Sequence, residues 1–459
     1  TLTEECTDIE FHPTNPDIVY VLKKNTTKDF YECWKSTNGG SSFTAKTIGW
    51  PTGLKYGEGR IAVTPADPSR VYAILLTDQG PRLMCSNNTA EAWTLTATGS
   101  TPAFEMDNGQ GYYDLDILAS PLDANKIIVA TTTAFRSVDG GANFTSVGGY
   151  YGPFSRHPDI QAMRSQGNDT YIATDGGITW SDDFFAANSE PRINGIFATD
   201  LWGFDSGWNE DVLVGGRYHN GNTAYYQAYP EGKFLRMGGA EAATGYVNPV
   251  KNRQTFFSDI GGYEIPENFD GKTVNLPLSE WPNESYYYME FSEMTWSPVC
   301  WNEVYIGKGP SIKKSTNNGV SYSTLFTSTD QDAVMEHIRI SRSNPNVIYA
   351  TQRSNTLWDG KIYKSINGGV SWSTLPDLPV SSGQRRVMTI TLSGDNENEL
   401  WVALAYSSNG KKVYYSPNGG NTWLNWTTDK LNDFNLQDIV HQLGTNGGVY
   451  VAADNGRIF

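Results

Sequence analysis

The 459-residue chain predicts an all-β protein, a β-propeller of four-stranded antiparallel blades. Three observations carry this expectation. A Ser-x-Asn/Asp-x-Gly phrase recurs at nearly constant spacing. Short β-branched and aromatic runs, each following an Asn, Asp or Pro turn signal, fill the text between the copies. The composition fits, with 38% apolar and 13% aromatic residues and 46 glycines.

The phrase is clearest at Lys364 to Trp372, KSINGGVSW. Its good copies place Ser36, Asn38 and Gly40; Ser137, Asp139 and Gly141; Ser315, Asn317 and Gly319; Ser365, Asn367 and Gly369; and Ser416, Asn418 and Gly420 in the same relation. A weaker copy, CSNNTAEAW, puts Ser86 between the first two. The opening serines step by 50 and 51 residues from Ser36 to Ser137, and again by 50 and 51 from Ser315 to Ser416. A repeat of about 40 to 50 residues suits a four-stranded blade.

Each unit reads in order. An alternating inner strand comes first (TDIEFHP, GRIAVTP, LDILASP, IRISRSNP, MTITLSG). A β-branched second strand follows (NPDIVYVLKK, DPSRVYAILL, ANKIIVATTT, NPNVIYATQR, ENELWVALAY). Then come a third strand, the serine phrase and a short outer strand. The Asn or Asp bonds the backbone two residues on, and the glycine takes a left-handed conformation. The closing aromatic plugs the space between sheets. The 178-residue gap from Ser137 to Ser315 holds three further units without good phrases. The expected units are 7–51, 59–99, 114–149, 158–188, 201–234, 245–277, 289–328, 337–379, 387–433 and 436–459. They form either one large ring or one full propeller with part of a second.

The repeated turn resembles the aspartate box (BNR repeat) of sialidases, of sortilin-type receptors and of xyloglucanases of glycoside hydrolase family 74. The resemblance runs the length of the chain and implies fold. In that family the box is a structural turn on the face away from the ligand. The general character is similar to secreted bacterial propeller proteins.

Charge narrows the partners. The chain carries 34 basic and 50 acidic residues, a formal net charge of −16, which argues against nucleic acid or an anionic membrane. It contains no apolar run of 18 residues, so no transmembrane segment is expected. None of the four cysteines has metal-ligand spacing, so neither metal nor cofactor is expected. Cys6 and Cys33 could bridge within the first blade, or stay as thiols. The expected location is extracellular or at the cell surface, either as a protein on its own or as part of a larger multi-module surface protein.

Two groups of residues are candidates for a site. Acids stand in second-to-third-strand turns: Asp175 in ATDGGITW, Asp259 in FSDIGGYEI and Asp454 in AADNGRIF. The middle one is similar to the Asp-Ile-Gly-Gly turn of the xyloglucanase family, where two such aspartates form the catalytic pair. That resemblance implies Asp259 as one catalytic carboxylate and Asp175 as the next candidate. Tyr263, four residues on from Asp259, is expected to bind ligand by stacking beside it. Single-displacement hydrolysis needs two carboxyls about 6.5–9.5 Å apart. The second group is Arg156, His157 and Asp159 in SRHPDIQAM, Arg217 and His219 in GGRYHNGN, and Glu241 in MGGAEAATG. These stand where the serine phrase fades, and are the expected ligand-binding residues. Three aromatic segments, GGYYGPF, SEWPNESYYYMEF and MTWSPVCWNEVY, offer rings for sugar or protein contact. The Arg-Ile-Pro phrase of sialidases is absent. The leading expectation is a recognition module that binds a glycan or an extracellular protein through the loop face. An endo-acting xyloglucanase-type hydrolase is the first alternative, and a structural spacer of a surface adhesin the second.

Overall fold

The structure is a computed structural model and describes residues 5–25, 30–106, 109–196, 201–217, 220–239, 245–284 and 292–459. Among these, the strands form nine four-stranded antiparallel sheets and one two-stranded sheet, each in chain order. The chain divides into two compact units. The first, Thr1–Ala198, holds sheets 1–4, spanning 6–45, 56–98, 116–149 and 160–191. The second, Thr199–Phe459, holds sheets 5–10, spanning 201–238, 245–276, 295–327, 333–374, 388–425 and 436–453.

The core of each unit lies between the faces of successive sheets. Second strands are covered on both sides, which is why they read as unbroken apolar runs: all of Val71–Thr77 and of Leu400–Leu404 is buried. Tyr72, Ile74, Phe104, Phe135 and Phe144 fill the space between sheets 2 and 3. Phe144, the plug of its serine phrase, stacks on Phe104 with ring centroids 4.3 Å apart.

Acids on the first strands fasten neighbouring sheets. Asp8, Asp116 and Asp205 each accept the N–H of the next residue at 2.8–2.9 Å. The other oxygen of each reaches the following sheet, accepting from Ile61 (2.6 Å), Met163 (2.6 Å) and Val247 (2.8 Å) respectively. Burial pushes the Asp116 and Asp205 carboxyls up to about 6.

The serine phrase is the third-to-fourth-strand turn. Each of the five good copies has the serine hydroxyl donating to the Asn or Asp two residues on, at 2.8–3.1 Å. The same hydroxyl accepts the N–H four residues on, at 2.8–2.9 Å. Ser86 makes both bonds, although Thr89 and Ala90 stand in left-handed conformations (φ 54° and 62°) where the good copies have glycine or asparagine. Ser181 makes them too, with Asp183 (2.7 Å) and the N–H of Phe185 (2.8 Å). There the two glycine positions are Phe184 and Phe185, at φ 61° and 56°. A left-handed L-residue costs about 1–2 kcal/mol. Full burial of a phenylalanine recovers about 1.5–3 kcal/mol, which offsets that strain, and both rings are buried.

Cys33 is a buried thiol, pushed up to about 12 by burial, and forms no bridge to Cys6. Among the described residues no helix is long and apolar enough to cross a membrane, and no cluster of His, Cys, Asp and Glu could hold a metal.

Candidate functional site

In an antiparallel four-stranded meander, the second-to-third turn and the connection leaving the fourth strand share one end. The serine turn lies at the other. The first of these is called the loop end below.

The loop end of sheets 3 and 4 gathers several candidates. Asp175 and Gly176 form the turn between Asp169–Thr174 and Gly177–Ser181. The Tyr113 hydroxyl lies 2.9 and 3.0 Å from the two Asp175 oxygens and donates to them. Gln161 Nε2 donates to Asp175 Oδ1 at 3.0 Å. His157 packs on the same turn: a Cβ on Gly176 would lie 2.4 Å from the His157 Cβ, so only glycine admits this approach. The His157 ring donates from Nδ1 to the Pro158 carbonyl at 3.0 Å. Asp159, buried and left-handed (φ 63°), accepts from Gln110 Nε2 at 3.4 Å. Aspartate is among the few non-glycine residues that tolerate this conformation.

Arg156 turns inward. It is 7% exposed, its guanidinium lies 4.4 Å over the Phe185 ring, and it donates to Ser189 Oγ at 3.2 Å. Burial pushes it down to about 10. The aromatic segment 148–154 sits at this end, with Tyr150 68% exposed and the Tyr151 hydroxyl donating to the Glu105 carbonyl at 2.8 Å. Tyr112, next to Tyr113, is 79% exposed.

The second unit holds the other candidates. Asp259 is exposed in the turn between Gln254–Phe257 and Gly261–Glu264, where it accepts from Asn222 Nδ2 at 2.7 Å. A Cβ on Gly239 would lie 2.1 Å from Asp259 Oδ2, so the neighbouring backbone leaves space for the carboxylate. Tyr263 lies two residues beyond Gly261 along its strand, opposite Thr255. Arg217 caps its own turn through the carbonyls of Asn220 (2.7 Å) and Gly221 (3.3 Å). His219 and Glu241 lie outside the described residues. Asp454 is exposed and accepts from Asn435 at 3.0 Å. Of the remaining aromatic segments, Trp296 and Tyr305 are buried packing residues, and Ser285 to Phe291 lie outside the described residues.

Asp175 and Asp259 thus belong to different compact units, each with its own hydrogen-bonded setting. The sequence reading missed Tyr113, Gln110, Gln161 and Asn222. The run GQGYYDLD just ahead of a first strand is as rich in tyrosine and glycine as GGYYGPF, and was the available signal.

First strands of the second unit also line a cavity of about 410 Å3 that includes Asp205, Tyr246, Glu293, His337 and Asp438. His337 Nδ1 lies 3.0 Å from Glu293 Oε1, and Arg339 pairs with both Glu293 oxygens. Burial opposes ionisation of Glu293, but Arg339 and His337 outweigh it and hold the carboxyl well below its usual range.

No protein-family model and no curated protein sequence matches the chain. Among solved structures it is similar to a GH74 enzyme of Niastella koreensis, with 18% identity over 98% of this chain and 68% of that one, at a TM-score of 0.56. It is also similar to the GH74 xyloglucanase of Xanthomonas campestris, with 15% identity over 99% of this chain and 73% of that one, at a TM-score of 0.55. The chain has a β-propeller fold. At such identities the likeness is one of fold, on which many unrelated activities are built.

Proposed function

We propose that the chain is a secreted or cell-surface recognition propeller that binds a neutral glycan at the loop end of its first unit. One observation carries this reading: the Asp175 carboxylate is fixed by Tyr113 and Gln161 at a loop end that also exposes Tyr112 and Tyr150. A fixed carboxylate accepts sugar hydroxyls, and exposed tyrosines offer flat faces to the C–H side of a pyranose. A net charge of −16 disfavours acidic polysaccharides. That one of the similar structures is a xyloglucanase makes β-glucans the first class to try.

A second reading is endo-acting hydrolysis with Asp259 as one carboxylate. Its Asp-Ile-Gly-Gly turn, in which Asp259 is exposed and Gly239 keeps space for the carboxylate, favours it. A single carboxylate cannot both protonate the leaving oxygen and activate water in one displacement, so a partner acid is required.

One experiment separates these. The chain is titrated with xyloglucan and mixed-linkage β-glucan, and reducing ends are followed over a day. Binding without cleavage, weakened at least tenfold by Asp175→Asn or Tyr150→Ala, supports recognition. Cleavage abolished by Asp259→Asn supports hydrolysis. Absence of binding to either polymer refutes both.

A further inference from the structure

The second-to-third turns of sheets 8 and 9 each carry a largely exposed aromatic residue, Trp358 and Tyr406. Trp358 closes the second-to-third turn of sheet 8 in a left-handed conformation (φ 49°), and its side chain is 61% exposed. A bulky residue gains nothing from strain in solvent, and such outliers concentrate at ligand sites. The Arg386 guanidinium lies 4.2 Å over the indole ring while its Nη2 donates to Asn355 Oδ1 at 2.7 Å. The next residue, Val387, accepts the N–H of Ala405 at 3.2 Å. That bond sets the start of the second-to-third turn of sheet 9, which carries Tyr406, also 61% exposed, beside the residue that follows Arg386.

The support beneath is stiff. Arg385 bonds Asp359 at 2.6 Å and Asp377 at 2.9 Å, and Lys361 reaches Asp377 at 2.8 Å. A Cβ on Gly360 would stand 2.2 Å from the Arg385 carbonyl oxygen, so the two backbones touch. The rings are therefore presented on a fixed base.

We propose that Trp358 and Tyr406 form a sugar-stacking subsite of the second unit, one that takes a gluco-configured pyranose of a neutral polysaccharide. It deepens the glycan reading above and rests on it. Arg386 lies over one face of the indole, and Trp358 still remains 61% exposed. A pyranose whose substituents are all equatorial presents a flat C–H face of matching size, and its hydroxyls meet Arg386 and Asn355 at the edge. A protein partner fits less well. Aspartate and lysine are depleted in the cores of protein interfaces, and here Asp359, paired with Lys361 at 3.5 Å, directly follows Trp358.

The test uses the full chain and cellohexaose, with maltohexaose as the α-linked comparison, in isothermal titration calorimetry beside melting curves. Trp358→Ala is expected to weaken cellohexaose binding at least tenfold, Tyr406→Ala severalfold, and Trp358→Phe little. Trp358→Gly relieves the left-handed strain, so it should lose binding while Tm holds or rises. Cellohexaose binding unchanged in Trp358→Ala, yet reduced in Tyr150→Ala, removes this subsite and leaves the glycan reading standing. If the wild-type chain binds no glucan at all, both fall.

Discussion

Ser365→Ala tests what the repeated turn does. The Ser365 hydroxyl accepts the N–H of Gly369 at 2.9 Å and of Asn367 at 3.4 Å, and donates to Asn367 Oδ1 at 3.0 Å. Ser365 is 1% exposed and Gly369 is buried at φ 94°. Alanine leaves the Gly369 N–H buried without an acceptor, which costs about 1–3 kcal/mol. The Asn367 bond is long, and Asn367 itself is exposed and keeps the Ser371 N–H at 2.9 Å, so its share is small. The expected loss is about 2 kcal/mol. For a unit of this size that is a fall in Tm of about 4–8 °C by calorimetry or by fluorescence melting. Ser371→Ala is the control, because it removes only the exposed bond from Asn367 Nδ2 and should cost less than about 0.5 kcal/mol. Equal effects of the two substitutions, or no effect of Ser365→Ala, would refute the reasoning.

Three further outcomes are expected. Burial and then Asp8 push Glu10 up to about 7. A carboxyl raised in the folded state contributes stability below its unfolded value and loses it as pH rises through the folded one. Glu10→Gln should therefore stabilise the chain by about 1–2 kcal/mol at pH 8 and leave Tm unchanged near pH 4.5. Gly49→Ala puts a Cβ 2.0 Å from the Trp93 carbonyl oxygen at φ 71°, and neither backbone can yield. It should cost at least about 3 kcal/mol in chemical denaturation. Tyr113→Phe removes the donor to Asp175 and should weaken glycan binding severalfold while lowering Tm by no more than a few degrees.

The fold class was legible because the serine turn needs particular residues at fixed places, and five copies keep them. Ser181 shows the limit. Its hydrogen bonds are those of the other copies, but burial of Phe184 and Phe185 carries the strain that glycine avoids elsewhere, so the letters disappear while the turn remains. The first-strand acids were hidden for a different reason. Asp8, Asp116 and Asp205 stand in alternating strands where a polar residue reads as solvent-facing, and only the adjacent sheet supplies the N–H that each one binds. At the candidate site, the region from Arg156 to Asp175 stood out by residue type. Sequence could not tell that Arg156 turns inward to Phe185 while Asp175 is held by a tyrosine 62 positions away. Trp358 escaped notice because its strain is a property of φ rather than of letters.

The most direct test of the proposed site is a crystal structure of the chain soaked with a xyloglucan oligosaccharide. A pyranose stacked on Tyr150 or Tyr112, with a hydroxyl within about 3 Å of the Asp175 carboxylate, is the predicted result. Sugar bound only at the end that carries the serine turns, with the Asp175 turn empty, would contradict it.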